Sequence, residues 1–230
     1  MSERQPIFNV PGVVIALLVA FIAVHLGREL LTPDGDELVL ELFAFVPDRL
    51  GPGAQNYPGG TITAVTQFVS HIFLHGDRTH LLINSAWFLA FATPVARRLG
   101  TARFLAFFFL CGIGGALLFL LLNSAPMVGA SGAISGLMGA ALRFLFLPLS
   151  DGDADALSGN GPAPALSLSQ ALTNRRILIA VVAWSLFNLV AAWGAQAVLP
   201  GMSIAWEAHL GGFFTGFLLF GLFDPQLRSQ

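Results

Sequence analysis

Six mostly apolar stretches, 11–31, 78–98, 102–122, 129–148, 176–199 and 204–223, recur along this chain. A helix that crosses a bilayer needs about 20 such residues, and each stretch comes close to that length. Composition says what solvent they are made for. Hydrophobic residues make up 55% of the chain and charged residues only 10%, where a soluble domain averages about a quarter charged. One core in a chain of 230 residues cannot hide that excess, so lipid has to take it up. The expected fold is an all-α membrane protein, a bundle of six transmembrane helices.

Orientation follows from arginine, because lysine is absent and positive charge stays on the cytoplasmic side. With the N-terminus cytoplasmic, Arg4, Arg97, Arg98, Arg103, Arg143, Arg175, Arg176 and Arg228 fall inside, and Arg28, Arg49 and Arg78 outside. That balance sets both termini in the cytoplasm, and the second, fourth and sixth spans then start at the outer face. The first apolar stretch is long for a signal peptide and has no clean small-residue cleavage site after it, so it reads as an uncleaved first helix. A net charge of -2 gives no argument for nucleic acid. Cys111 is the only cysteine, so a disulfide within the chain and a cysteine-only metal cage are excluded.

The expected division is a short cytoplasmic tail over 1–10, one six-helix domain over 11–224 and a C-terminal tail over 225–230. Within the domain, the connection 32–77 mixes Leu, Phe and acids in PDGDELVLELFAFVPDRL and suits a segment lying in the membrane interface. The connection 149–175, rich in Gly, Pro, Ser and Asp, reads as a flexible cytoplasmic linker. No internal repeat and no soluble domain is evident.

The chemistry gathers at one depth. Ser131 stands two residues into the fourth segment, in the run GASGAISG, and His209 about five residues into the sixth, roughly 8 Å down at 1.5 Å per residue. His80 and Asn84 occupy the first two turns of the second. All three segments enter from the same side. Polar groups inside a membrane are rare and usually functional, so four at one depth on three helices point to a site. Gly132, Gly136 and Ala140 on the fourth segment, and Ala208, Gly212 and Gly216 on the sixth, repeat every fourth residue. Such small-residue spacing lets backbones approach closely, as a hydroxyl and its base require. His80 and Asn84, four apart and so on one face, together with the Ser131 amide at a helix start, can donate to a developing oxyanion. Burial disfavours the imidazolium form, leaving His209 neutral and able to accept a proton. No acid is placed to orient it, since Glu207 is two residues away and points elsewhere, so a dyad fits better than a triad.

His71, His75 and His80 form H-x3-H-x4-H, a pattern that suits either a metal site or polar anchors tying the loop to the second helix. The anchor reading is preferred; no metal or other cofactor is expected.

These residues resemble the rhomboid family of intramembrane serine proteases, from about Thr66 to Asp224. HIFLHGDRTHLLIN is similar to the family's histidine-rich approach to its second helix, GASGAISG to its nucleophile motif, and GMSIAWEAHLGGFFTG to its last loop and base helix. The resemblance implies Ser131 as nucleophile, His209 as general base, and His80, Asn84 and the Ser131 amide as oxyanion site. It implies six helices around a water-filled cavity, a cap around 200–204 with Met202 as lid, and substrates entering sideways near the second and fifth helices. Its partners are then transmembrane protein substrates within the bilayer of a bacterial-type inner membrane. The chain departs from the pattern at Ser135, where many members carry an aromatic residue against the base, and at Ala96, where a Glu is frequent. The Trp-Arg pair of some members' first loop is not evident. The other readings are a non-catalytic rhomboid-like binder of membrane helices, a transporter or proton relay, and a metal-dependent membrane hydrolase.

Overall fold

The computed structural model describes residues 10–146, 165–198 and 204–227, with 195–198 by backbone alone. Among these residues the chain is helical, apart from loops and one isolated antiparallel bridge between Phe45 and Met127. Helix α1 spans Gly12–Glu29, α2 Pro33–Phe43, α3 Gly60–Ser70, α4 Arg78–Leu99, α5 Thr101–Leu122, α6 Ser131–Leu142, α7 Leu168–Thr173, α8 Arg175–Val198 and α9 Trp206–Phe223.

By length and composition α1, α5 and the Arg175–Gly194 part of α8 can cross a membrane. The remaining three expected segments differ from that standard for separate reasons. Helix α4 is diluted by His80, Asn84 and its arginines, and α9 by Glu207 and His209. Helix α6 has 12 residues, which at 1.5 Å each reach about 18 Å. It ends in a turn at Arg143, short of the expected 148.

Helix α6 is the centre of the molecule. Nine of its 12 residues are buried, because α4, α5 and α9 pack around it. The contact with α9 depends on the absence of side chains. A Cβ on Gly212 would collide with the carbonyl of Gly132, and one on Gly216 with the carbonyl of Gly136. The small-residue repeats on these two segments therefore meet face to face. Helix α1 buries Val14, Leu17, Phe21, His25 and Arg28, a three-to-four spacing that makes one stripe. That stripe faces α4, where Phe21 meets Phe88 edge-on at 5.2 Å. Helix α8 is peripheral and packs on α7 and α9, with Trp184 stacked on Phe213 at 4.2 Å. Its outward residues Ile179, Val182, Phe187 and Trp193 are exposed, as suits a lipid-facing side.

The described end of the expected linker 149–175, from residue 165 on, is folded rather than flexible. Residues 147–164 lie outside the described part, but 165–173 is packed. Arg143, where α6 ends, donates through Nη2 to the Leu166 carbonyl at 2.9 Å, and the Leu166 amide returns a bond to the Arg143 carbonyl at 2.8 Å. A capping box between Ser167 and Gln170 starts α7, and Ala171 is buried in a cluster with Ile177, Phe213 and Phe217. Local composition hid this because the partners lie on α6 and α9.

At the end of the bundle remote from Ser131, Arg98 pairs with Asp224 at 2.9 Å, both side chains almost fully buried. The Arg98 guanidinium also lies over the rings of Phe144 and Phe220. The connection between α1 and α4 is folded, with α2, α3 and three short 3-10 turns. It is tied to α1 by Arg28, which forms two bonds to Asp36 and donates to the His75 carbonyl at 2.8 Å.

Candidate active site

Ser131 is the first residue of α6, following a loop held on two sides. Met127 and Phe45 exchange backbone bonds of 2.8 and 2.9 Å, and the Gly129 amide donates to the His71 carbonyl at 2.9 Å. Gly129 has φ +124, a region that favours glycine. A Cβ there would also sit 2.8 Å from the His80 ring and 3.8 Å from Ser131 Oγ. Glycine therefore allows the imidazole of His80 and the hydroxyl of Ser131 to flank one stretch of backbone. As a first-turn amide, the Ser131 N–H has no acceptor within its own helix.

The Ser131 Oγ and His209 Nε2 atoms lie 2.7 Å apart, across 78 residues of sequence. The far ring nitrogen, Nδ1, lies 2.9 Å from Oδ1 of Asn188 on α8. Asn188 is the residue that sequence reasoning missed. It is buried, and its one advance signal was an amide inside an otherwise apolar segment. Glu207 faces away, with Oε1 accepting from Asn123 Nδ2 at 2.9 Å. Ser135 is buried on α6, and among the described residues no aromatic ring pairs with His209.

His80 is set by the start of α4. Asp77 caps the helix by accepting the His80 amide at 2.8 Å, and the Gly76 amide donates to His80 Nδ1 at 3.4 Å. A neutral ring that accepts at Nδ1 carries its proton on Nε2, the atom on the Gly129 side. Asn84 is buried one turn further along and donates from Nδ2 to the His80 carbonyl at 3.1 Å. The second hydrogen of that amide is left for another acceptor. Residues 199–203, with Met202, lie outside the described part.

Of the two expected anchors, the His71 ring bonds within its own segment, and neither ring nitrogen of His75 has a hydrogen-bond partner among the described residues. Nδ1 of His71 donates to the Gln67 carbonyl at 2.7 Å, and His75 is fully buried between Phe21 and His80. Burial holds both rings neutral, lowering His71 to about 4 and, with His80 and His25 nearby, His75 to about 3. No group of three or more His, Cys, Asp or Glu side chains could hold a metal ion among the described residues.

Fold and site define a helical integral membrane protein with a Ser–His pair at the head of its central helix. The chain matches the family model for the Rhomboid domain over residues 63–151. It is 32% identical to RHOMBOID-like protein 4 of Arabidopsis thaliana over 148 residues, 64% of this chain and 31% of that protein. With Rhomboid-like protease 3 of Toxoplasma gondii it shares 35% over 181 residues, 77% of this chain and 59% of that one. With Rhomboid protease GluP of Bacillus subtilis it shares 36% over 76 residues, 33% of this chain and 15% of that one. The chain spans about a third of the length of the Arabidopsis relative. Over these stretches it is similar to proteins of the rhomboid family.

Proposed function

We propose that this chain is an intramembrane serine endopeptidase that cuts single-span membrane proteins near the outer face of the bilayer. The observation that carries the reading is the 2.7 Å approach of Ser131 Oγ to His209 Nε2; the relatives named as rhomboid proteases support it. Ser131 is the nucleophile and His209 the general base. Oγ attacks the scissile carbonyl carbon while its proton passes to Nε2. The tetrahedral oxyanion is met by His80, Asn84 and the Ser131 amide. Collapse breaks the C–N bond, Nε2 returns the proton to the leaving amine, and an acyl-enzyme remains. Water then attacks the ester, gives a proton to Nε2, and Oγ leaves with that proton.

The reading includes six spans, both termini in the cytoplasm, a bacterial-type inner membrane and no cofactor. A helical substrate resists attack because its carbonyls are already bonded. The preferred substrates are therefore spans whose outer ends contain Gly, Ala, Ser or Pro, unwind readily, and present a small residue at the cut.

The test is cleavage of a single-span substrate by protein purified in detergent. Replacing Ser131 or His209 by Ala should lower kcat by about 10³- to 10⁶-fold, and a serine-directed phosphonate should label Ser131 in the native protein. Full cleavage by Ser131→Ala overturns the reading. A folded native protein that neither cleaves nor takes the label points instead to a non-catalytic binder of membrane helices.

A further inference from the structure

We infer that Asn188 is a positioning residue for this reaction, its side-chain oxygen holding His209 in the one tautomer that can take the proton of Ser131. The inference rests on the Ser131–His209 reading above and extends it to a third helix. A neutral imidazole has one N–H and one lone pair. To act as base toward Ser131, His209 must keep its lone pair on Nε2, 2.7 Å from Oγ, and its proton on Nδ1. That proton needs an acceptor. Oδ1 of Asn188 lies 2.9 Å from Nδ1 and can only accept. The opposite amide orientation would offer an N–H to Nδ1, move the ring proton to Nε2, and leave no base facing the hydroxyl. The productive site therefore requires the oxygen of Asn188 on the imidazole side.

Burial supports the assignment. Asn188 is 6% exposed on a helix that presents Phe187, Val190 and Trp193 outward, and its Nδ2 has no hydrogen-bond partner among the described residues. A buried amide with one half unsatisfied is costly, and its satisfied half points at His209. Among the described residues, Ser131 on α6 and Asn188 on α8 hydrogen-bond the His209 ring, and the titratable group near enough to act on its charge is His80 on α4. Of these, Asn188 alone meets Nδ1.

The experiment compares the full chain, in detergent or liposomes, with Asn188→Leu, which keeps the branched shape and removes the acceptor, and Asn188→Asp, which keeps both. Four quantities are read: kcat and KM on a single-span substrate, the pH–rate profile, and the 15N spectrum of His209, identified by difference from His209→Gln. Asn188→Leu should lower kcat by between about 10- and 10⁴-fold, leave KM within about threefold, and erode the Nδ1–H tautomer signal. Asn188→Asp should retain kcat within about tenfold and move the acidic limb of the profile to higher pH, since a carboxylate stabilises the imidazolium. The inference is overturned if Asn188→Leu keeps the native kcat, if it changes KM alone, or if Leu and Asp lower kcat alike. Should Asn188→Leu fail to fold, Asn188→Asp decides through its kcat and pH limb. Ser131→Ala separates the levels: full cleavage by that variant sinks the dyad itself, whereas an inactive Ser131→Ala beside a fully active Asn188→Leu sinks only the role of Asn188.

Discussion

The place a Cβ on Gly212 would take is already filled by the carbonyl group of Gly132, one residue beyond Ser131. Gly212 stands three residues after His209 on α9. The separation of base and nucleophile is thus set by a backbone-to-backbone contact, and no side chain is available to absorb an error.

Enlarging Gly212 should therefore damage stability and chemistry together. Overpacking a tight contact costs about 1–3 kcal/mol, so Gly212→Ala is expected to lower the thermal midpoint in detergent and slow cleavage. Gly212→Val should abolish cleavage by pushing α9 off α6. The control is Gly27→Ala, where an added Cβ meets nothing within 4 Å and a helix interior favours Ala by about 1 kcal/mol. A Gly212→Ala protein matching the native one in both readouts would refute the close-contact account.

Arg98 and Asp224 tie α4 to the end of α9, with side chains 6% and 0% exposed. Removing one partner of such a pair leaves a buried charge and costs about 3–5 kcal/mol. Arg98→Ala is expected to lose that much stability in a detergent unfolding assay. The double variant Arg98→Met, Asp224→Leu should recover most of the loss, because two apolar side chains leave no charge to desolvate. Equal instability of the single and double variants would show that the pair acts through shape alone.

Acid should destabilise the fold through His71 and His75. Their folded values, about 4 and about 3, lie below the ordinary 6.5. Below 6.5 the unfolded chain binds protons that the folded chain refuses, so stability falls as pH drops. For His71 the loss runs from 6.5 to about 4 and for His75 to about 3, each by up to about 1.4 kcal/mol per pH unit. His75→Phe keeps a ring against Phe21 and removes one titration. Its stability should fall less steeply between pH 6 and 4, in that assay's own pH units, and an unchanged slope would exclude His75 as a source.

Much of the candidate site was legible before any fold. Ser131, His209, His80 and Asn84 declare themselves because polar side chains are costly in apolar segments. The glycine repeats reveal a close contact because they come at helical spacing. The packed stretch 165–173 was not legible, since Gly and Pro before it suggest flexibility while its partners, Arg143, Phe213 and Phe217, are distant in sequence. Asn188 was not legible as a partner of His209, because an Asn within a span bonds whichever neighbour the rotation of its helix presents.

The order of residues was enough to point to apolar helices, to the Ser and His proposed for acyl transfer, and to the small side chains that let two helices touch. Those properties are local: spacing along the chain and the aversion of each side chain to water or lipid. The 2.7 Å approach of Ser131 to His209, the bond from His209 to Asn188 and the burial of Arg98 with Asp224 belong to the assembled bundle. They depend on the mutual rotation and depth of helices far apart in sequence, which the packing of whole surfaces fixes and no short stretch encodes.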